Sequence, residues 1–117
     1  MDSKIIIKSP EDLTILINST SCVIIKLSAI WCGSCNQIKK SYENLKSKYF
    51  SDNIKFIELD VNKDRSIVYN KKYYDIKFQY IPYFLIATNG AFTHEFTGSE
   101  SINKIDLLLT KLFSEAK

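Results

Sequence analysis

The chain has 117 residues, with 16 Lys and Arg against 13 Asp and Glu for a net charge of +3, and is 45% hydrophobic and 25% charged. That length and balance suit one globular core and exclude a disordered chain, while 3 Gly and 2 Pro exclude collagenous or low-complexity structure. The apolar run from Tyr83 to Ala87 spans five residues, far short of the roughly 20 that cross a bilayer. Met1 to Lys4, followed by Ile5-Ile6-Ile7 and Lys8, lacks the apolar stretch and cleavage site of a secretory signal, so a cytoplasmic protein is expected. A charge of +3 is too small to argue for nucleic acid. Lys71, Lys72 and Lys77, interleaved with Tyr69, Tyr73, Tyr74 and Tyr80, read as a solvated face. No repeat or linker divides residues 1–117, which predicts a single domain; a monomer is expected.

Ile5-Ile6-Ile7 reads as a short strand. Ser9-Pro10-Glu11-Asp12 is a helix start, with Ser9 as N-cap, Pro in the first turn and acids behind it; the helix should end near Asn18. Val23 to Leu27 is a β-branched run suited to a strand buried on both faces, with Lys26 as its anomaly. Ile38, Tyr42, Leu45 and Tyr49 recur at helical spacing, predicting a helix of about 15 residues after Cys35. Ile54 to Val61 reads as a strand, and Asp64 as the cap of a helix running to about Tyr74. Tyr83 to Thr88 and Ala91 to Thr97, joined by Asn89-Gly90, form the clearest hairpin signal, and Ser101 to Phe113 an amphipathic helix. The resulting order, βαβαβαββα, predicts an α/β fold with a central mixed five-stranded sheet flanked by four helices.

Three cysteines, two of them as Cys32-x-x-Cys35, cannot build a disulfide framework and point to redox or metal chemistry. A C-x-x-C that opens a helix after a buried strand places the first thiol beside unpaired backbone N–H groups and the positive end of the helix dipole. Both favour thiolate, so Cys32 is the expected nucleophile, forming a mixed disulfide that Cys35, one turn deeper, resolves. The spacing makes that second step intramolecular.

Trp31-Cys32-Gly33-Ser34-Cys35, Ile81-Pro82, Asn89-Gly90 and Gly98 together resemble the thioredoxin family, over nearly the whole chain. The resemblance implies that Ile81-Pro82 is a cis-proline step and that Trp31, Gly33, Ile81, Pro82 and Gly98 form an apolar surface on which substrate polypeptides lie. It also implies reduction of protein disulfides, with no bound cofactor and with electrons from NADPH through a flavin-containing thioredoxin reductase.

Four departures stand out. Gly33-Ser34 replaces the family's commoner Gly-Pro, implying a potential less reducing than the roughly −270 mV of thioredoxin. Lys40 replaces a helix-kinking proline, implying a straighter helix. Tyr83 follows the proline step where Thr is usual, after a longer and more aromatic segment, so the tyrosines from Tyr69 to Tyr83 are candidates for partner specificity. Finally, the family's buried acid and neighbouring lysine are exchanged for Lys26 and Glu58. An unpaired Lys in that strand would be costly, so the two are expected to form a reversed pair in which either Glu58 or an uncharged Lys26 accepts the Cys35 proton.

The competing readings are a metal site, a redox-silent interaction module, a more oxidising isomerase-like catalyst and a glutaredoxin. One C-x-x-C with isolated Cys22 and His94 does not supply four metal ligands. Retention of both cysteines argues against a silent module, and the proline and glycine motifs of glutaredoxins are missing. Cys22 reads as a small buried apolar residue and His94 as a solvated one on the outer face of the hairpin.

Overall fold

The computed structural model describes residues 5–49, 51–70 and 76–113. Strands β1 (Cys22–Ser28), β2 (Ile54–Asp60), β3 (Tyr83–Thr88) and β4 (Ala91–Thr97) form one sheet in the order β2-β1-β3-β4. β1 pairs with β2 in parallel, and β1–β3 and β3–β4 are antiparallel. Among the described residues the helices are α1 (Pro10–Ser19), α2 (Gly33–Gln37), α3 (Lys39–Lys48), α4 (Arg65–Val68) and α5 (Ser101–Phe113).

Every residue of β1 is buried, as a strand covered on both faces requires. Its odd positions Val23, Ile25 and Leu27 pack with Leu13 and Ile17 of α1 and Ile67 and Val68 of α4. Its even positions Cys22 and Ile24 pack with Tyr42 and Leu45 of α3 and Ile105 and Leu109 of α5. The period-2 alternation of one strand thus builds a core on each side of the sheet. The β3–β4 turn takes positive φ at Asn89 (52°) and Gly90 (89°), the primed turn that an Asn-Gly hairpin favours.

Four expectations are corrected. Among the described residues the sheet has four strands, not five: Ile5 and Ile7 lean on the core while Ile6 is exposed, as in a strand, but the segment joins no ladder and the Lys8 amide instead donates to Asp12 Oδ2 (3.0 Å). The described residues form five helices rather than four, because the segment after Cys35 is not one straight helix but breaks at Ile38 (φ −97°, ψ 3°). Cys35 belongs to the core on one side of the sheet and Ile38, Tyr42 and Leu45 to the core on the other, so the chain turns as it passes the sheet end. The helix after Asp64 stops at Val68, where the Tyr69 ring turns out to pack on Phe78 (6.0 Å between centroids); its predicted remainder at 71–74 lies outside the described residues. Asp64 gives that helix no side-chain cap; its Oδ2 accepts instead from the Asp60 amide (2.8 Å).

No described helix is long and apolar enough to cross a membrane.

Candidate active site

β1 ends at Ser28, and a short loop carries the chain to Cys32 at the start of α2. The Cys32 amide donates to the Ala29 carbonyl (3.1 Å) and Asn36 Nδ2 to the Ile30 carbonyl (3.2 Å), so loop and helix brace each other. Cys32 and Cys35 are joined as a disulfide. Cys32 occupies the N-cap position, where its Sγ accepts the Cys35 amide (3.1 Å), a contact that stabilises negative charge on that sulfur once the disulfide is opened. The Ser34 hydroxyl lies 3.6 Å from the same sulfur and can donate to it. Ser34, in the sequence only a departure from the commoner dipeptide, is thus a second donor to Cys32.

The Ile81–Pro82 peptide is cis, and the Ile81 carbonyl oxygen lies 3.9 Å from Cys32 Sγ. The Pro82 carbonyl accepts the Gly98 amide (3.0 Å), and Gly98 holds φ +100°, which a side chain would oppose. Trp31 is 67% exposed beside Cys32, with Ile30 equally bare, whereas Pro82 is buried. A side chain at Gly33 would meet nothing within 4 Å, so the approach to Cys32 is open there. Cys32, Ile81, Pro82 and Gly98 are therefore linked through successive contacts.

Beside them runs a groove of about 610 Å³ lined by Tyr69, Phe78, Tyr80 and Tyr83 together with Glu95. The Tyr83 hydroxyl donates to Glu95 Oε1. Burial, followed by that carboxylate, pushes the Tyr83 phenol above its ordinary range. Tyr73 and Tyr74, also considered for this surface, lie outside the described residues, as do Lys71 and Lys72.

Beneath the disulfide, Lys26 and Glu58 face each other across the parallel β1–β2 register, with Lys26 Nζ 3.2 Å from Glu58 Oε2. The Lys26 side chain is 2% exposed and that of Glu58 43%. The ammonium also sits 5.2 Å from the centroid of the Tyr42 ring. The Tyr42 hydroxyl donates to the Ile57 carbonyl (2.9 Å), and burial holds its phenol well above the ordinary range. Ser28 Oγ donates to Glu58 Oε2 (2.8 Å). Ser28 carries no motif of its own in the sequence, although period-2 alternation puts it on the same face as Lys26. Lys26, Ser28, Cys35 and Glu58 line one cavity of about 150 Å³.

Cys22 is buried in the β1 core, where loss of solvent pushes its thiol up to about 11, leaving it far less reactive than an ordinary cysteine. His94 is half-buried rather than fully solvated, its ring stacked on Phe96 and its Nδ1 2.9 Å from Thr93 Oγ1. Among the described residues, no group of three His, Cys, Asp or Glu is placed to hold a metal.

The comparisons with known proteins agree with this geometry. The thioredoxin family model matches residues 5–111. Thioredoxin of Ophiophagus hannah is 31% identical over 77 residues, covering 66% of this chain and 67% of that protein. Thioredoxin of Coprinus comatus is 29% identical over 94 residues, covering 80% and 84%. Among solved structures, thioredoxin from Trypanosoma brucei brucei superposes with a TM-score of 0.78 at 20% identity, covering 96% of this chain and 92% of that one. A variant of Entamoeba histolytica thioredoxin does so at 0.74 and 26%, covering 93% and 99%. With the Cys32–Cys35 pair at the end of β1, these matches establish that the chain belongs to the thioredoxin family and is a thioredoxin-type thiol–disulfide oxidoreductase.

Proposed function

We propose that Cys32 is the attacking thiolate and Cys35 the resolving thiol. Reduced Cys32 attacks a disulfide of a substrate protein, one substrate sulfur leaves, and Cys35 then displaces the other, closing the Cys32–Cys35 disulfide. The observation that carries this assignment is the asymmetry of the pair: Cys32 Sγ accepts the Cys35 amide at the N-cap beside the Ile81 carbonyl, while Cys35 faces the inner cavity. Trp31, Gly33, Ile81, Pro82 and Gly98 form the surface that receives the substrate backbone, and the tyrosine groove beside it extends the contact. The Lys26–Glu58 pair serves the proton exchange of Cys35. The chain works as one monomeric domain in the cytoplasm, with no bound cofactor, and is re-reduced with NADPH by a flavin-containing thioredoxin reductase.

Trapping tests the assignment. Cys35→Ser should accumulate a stable mixed disulfide between Cys32 and a substrate protein, whereas Cys32→Ser should accumulate none. Equal trapping by both variants, or trapping only through Cys35, would overturn it.

A further inference from the structure

Resting on the reading of Cys32 as the attacking thiol, we infer that the tyrosine groove is a specificity site for a basic side chain of the substrate polypeptide, arginine above lysine, a few residues from the cysteine under attack. The groove's rings form a row, with 6.0 Å between the centroids of Tyr69 and Phe78 and 5.9 Å between those of Phe78 and Tyr83. Tyr80 stands exposed beside them. At the end of the row the Tyr83 hydroxyl donates to Glu95 Oε1, which orients the carboxylate and leaves Oε2 as an acceptor. Aromatic faces carry negative potential, so ring walls and carboxylate select the same ligand, a cation. The row already takes one guanidinium, that of Arg65, 4.9 Å from the Tyr69 centroid. The completed arrangement exists elsewhere in the molecule. There the Tyr49 hydroxyl donates to Asp106, and Lys48 Nζ lies 3.0 Å from that carboxylate and 5.4 Å from the Tyr49 centroid. Among the described residues, no lysine or arginine pairs with Glu95 in this way.

Other occupants fit less well. An apolar side chain would cover the Glu95 carboxylate without giving it a partner, and an acidic one would be repelled by it. Lys77, exposed in the same groove, acts against a cation, but its ammonium rides on a flexible stem while Glu95 is held by Tyr83. Arginine is favoured over lysine because its planar guanidinium can stack on a ring and fork onto a carboxylate at once. The position follows from the chain. Tyr80 and Tyr83 flank the Ile81–Pro82 step, and the Ile81 carbonyl oxygen is 3.9 Å from Cys32 Sγ. One further residue of backbone and a tyrosine side chain reach about 10 Å from the sulfur. An extended substrate covers that span in about three residues.

The test uses the reduced full-length protein and short Gly/Ser peptides whose single cysteine is joined to thionitrobenzoate, with Arg, Lys, Gln, Leu or Glu three residues to either side. Attack of Cys32 on the peptide sulfur forms the Cys32–peptide disulfide and releases thionitrobenzoate, which is followed by absorbance. On one side, Arg should raise the second-order rate constant about tenfold over Gln at the same place. Lys should fall between them and Glu should be slowest, and the Arg excess should shrink in molar salt. Glu95→Gln should bring the Arg peptide close to the rate of the Gln peptide. Tyr80→Leu, which keeps apolar surface and removes the ring, should cut the Arg excess about threefold. A wild-type protein that treats the Arg, Gln and Glu peptides alike, or prefers Leu or Glu, would overturn the inference and leave the cysteine roles intact. An undiminished Arg preference in Glu95→Gln would do the same. Release at the wild-type rate from Cys32→Ser would instead overturn the reading on which the inference rests.

Discussion

The ion pairs Lys26–Glu58 and Lys48–Asp106 have nearly equal nitrogen–oxygen distances, 3.2 and 3.0 Å, and very different surroundings. Lys48 is 59% and Asp106 35% exposed, and their pair ties α3 to α5 with help from the Tyr49 hydroxyl, which donates to Asp106. Water and salt screen such a pair, and either partner can be solvated alone. Lys26, at 2% exposure, has no such alternative, while Glu58, at 43%, does. A short distance therefore says little about worth. What matters is which partner would be stranded, and in the inner pair that is the lysine.

The sharpest way to break this comparison is Glu58→Gln, which leaves a buried ammonium without its anion. It should destabilise the fold by about 2–3 kcal/mol in urea unfolding, under the ~3–5 kcal/mol of a fully buried pair because Glu58 is half solvated. Lys26→Met should have a much smaller effect, within about 1 kcal/mol of wild type, since a similar volume replaces the stem and Glu58 turns to water. Equal losses in the two variants would refute the asymmetry. The outer pair should respond least. Asp106→Asn should lower stability slightly at low ionic strength, and the difference should disappear in molar salt.

The outer pair also has a pH signature. Hydrogen bonding from Tyr49, then from Lys48, holds the Asp106 carboxyl below its ordinary 3.8. A carboxyl whose folded value is depressed adds stability above the unfolded value and loses it as pH falls through the folded one. Acid titration should therefore show the gap between wild type and Asp106→Asn closing only below about pH 4. Closure near neutral pH would assign the effect to some other group.

Much of this architecture was legible in the sequence where one local signal sufficed. Asn89-Gly90 fixes the hairpin, so Tyr83–Thr88 and Ala91–Thr97 have the bounds their residues imply, and the apolar stripe of Ser101–Phe113 likewise marks α5. The first strand was not legible: Ile5 to Ile7 have a strand's residue types, but a strand also needs a ladder partner, and that depends on tertiary docking. The break at Ile38 was hidden for a similar reason. Helical spacing continues through it, and only the two-sided core divides Cys35 from Tyr42. At the site, the cysteines and Ile81-Pro82 declare themselves by motif, and Lys26 by its charge in an apolar strand. Ser28 did not, because a serine at a strand end has many bland uses and its partner Glu58 lies 30 residues away.

The most direct measurement is the equilibrium reduction potential of the Cys32–Cys35 pair, by titrating thiol content against dithiothreitol and glutathione buffers. With Glu58 neutralising it at 3.2 Å, the buried Lys26 ammonium in the cavity that Cys35 lines gives little favour to the Cys35 thiolate. The pair should then remain on the reducing side, between roughly −270 and −230 mV. A value near −180 mV would contradict the reductant account and make the protein an oxidant or isomerase-like catalyst.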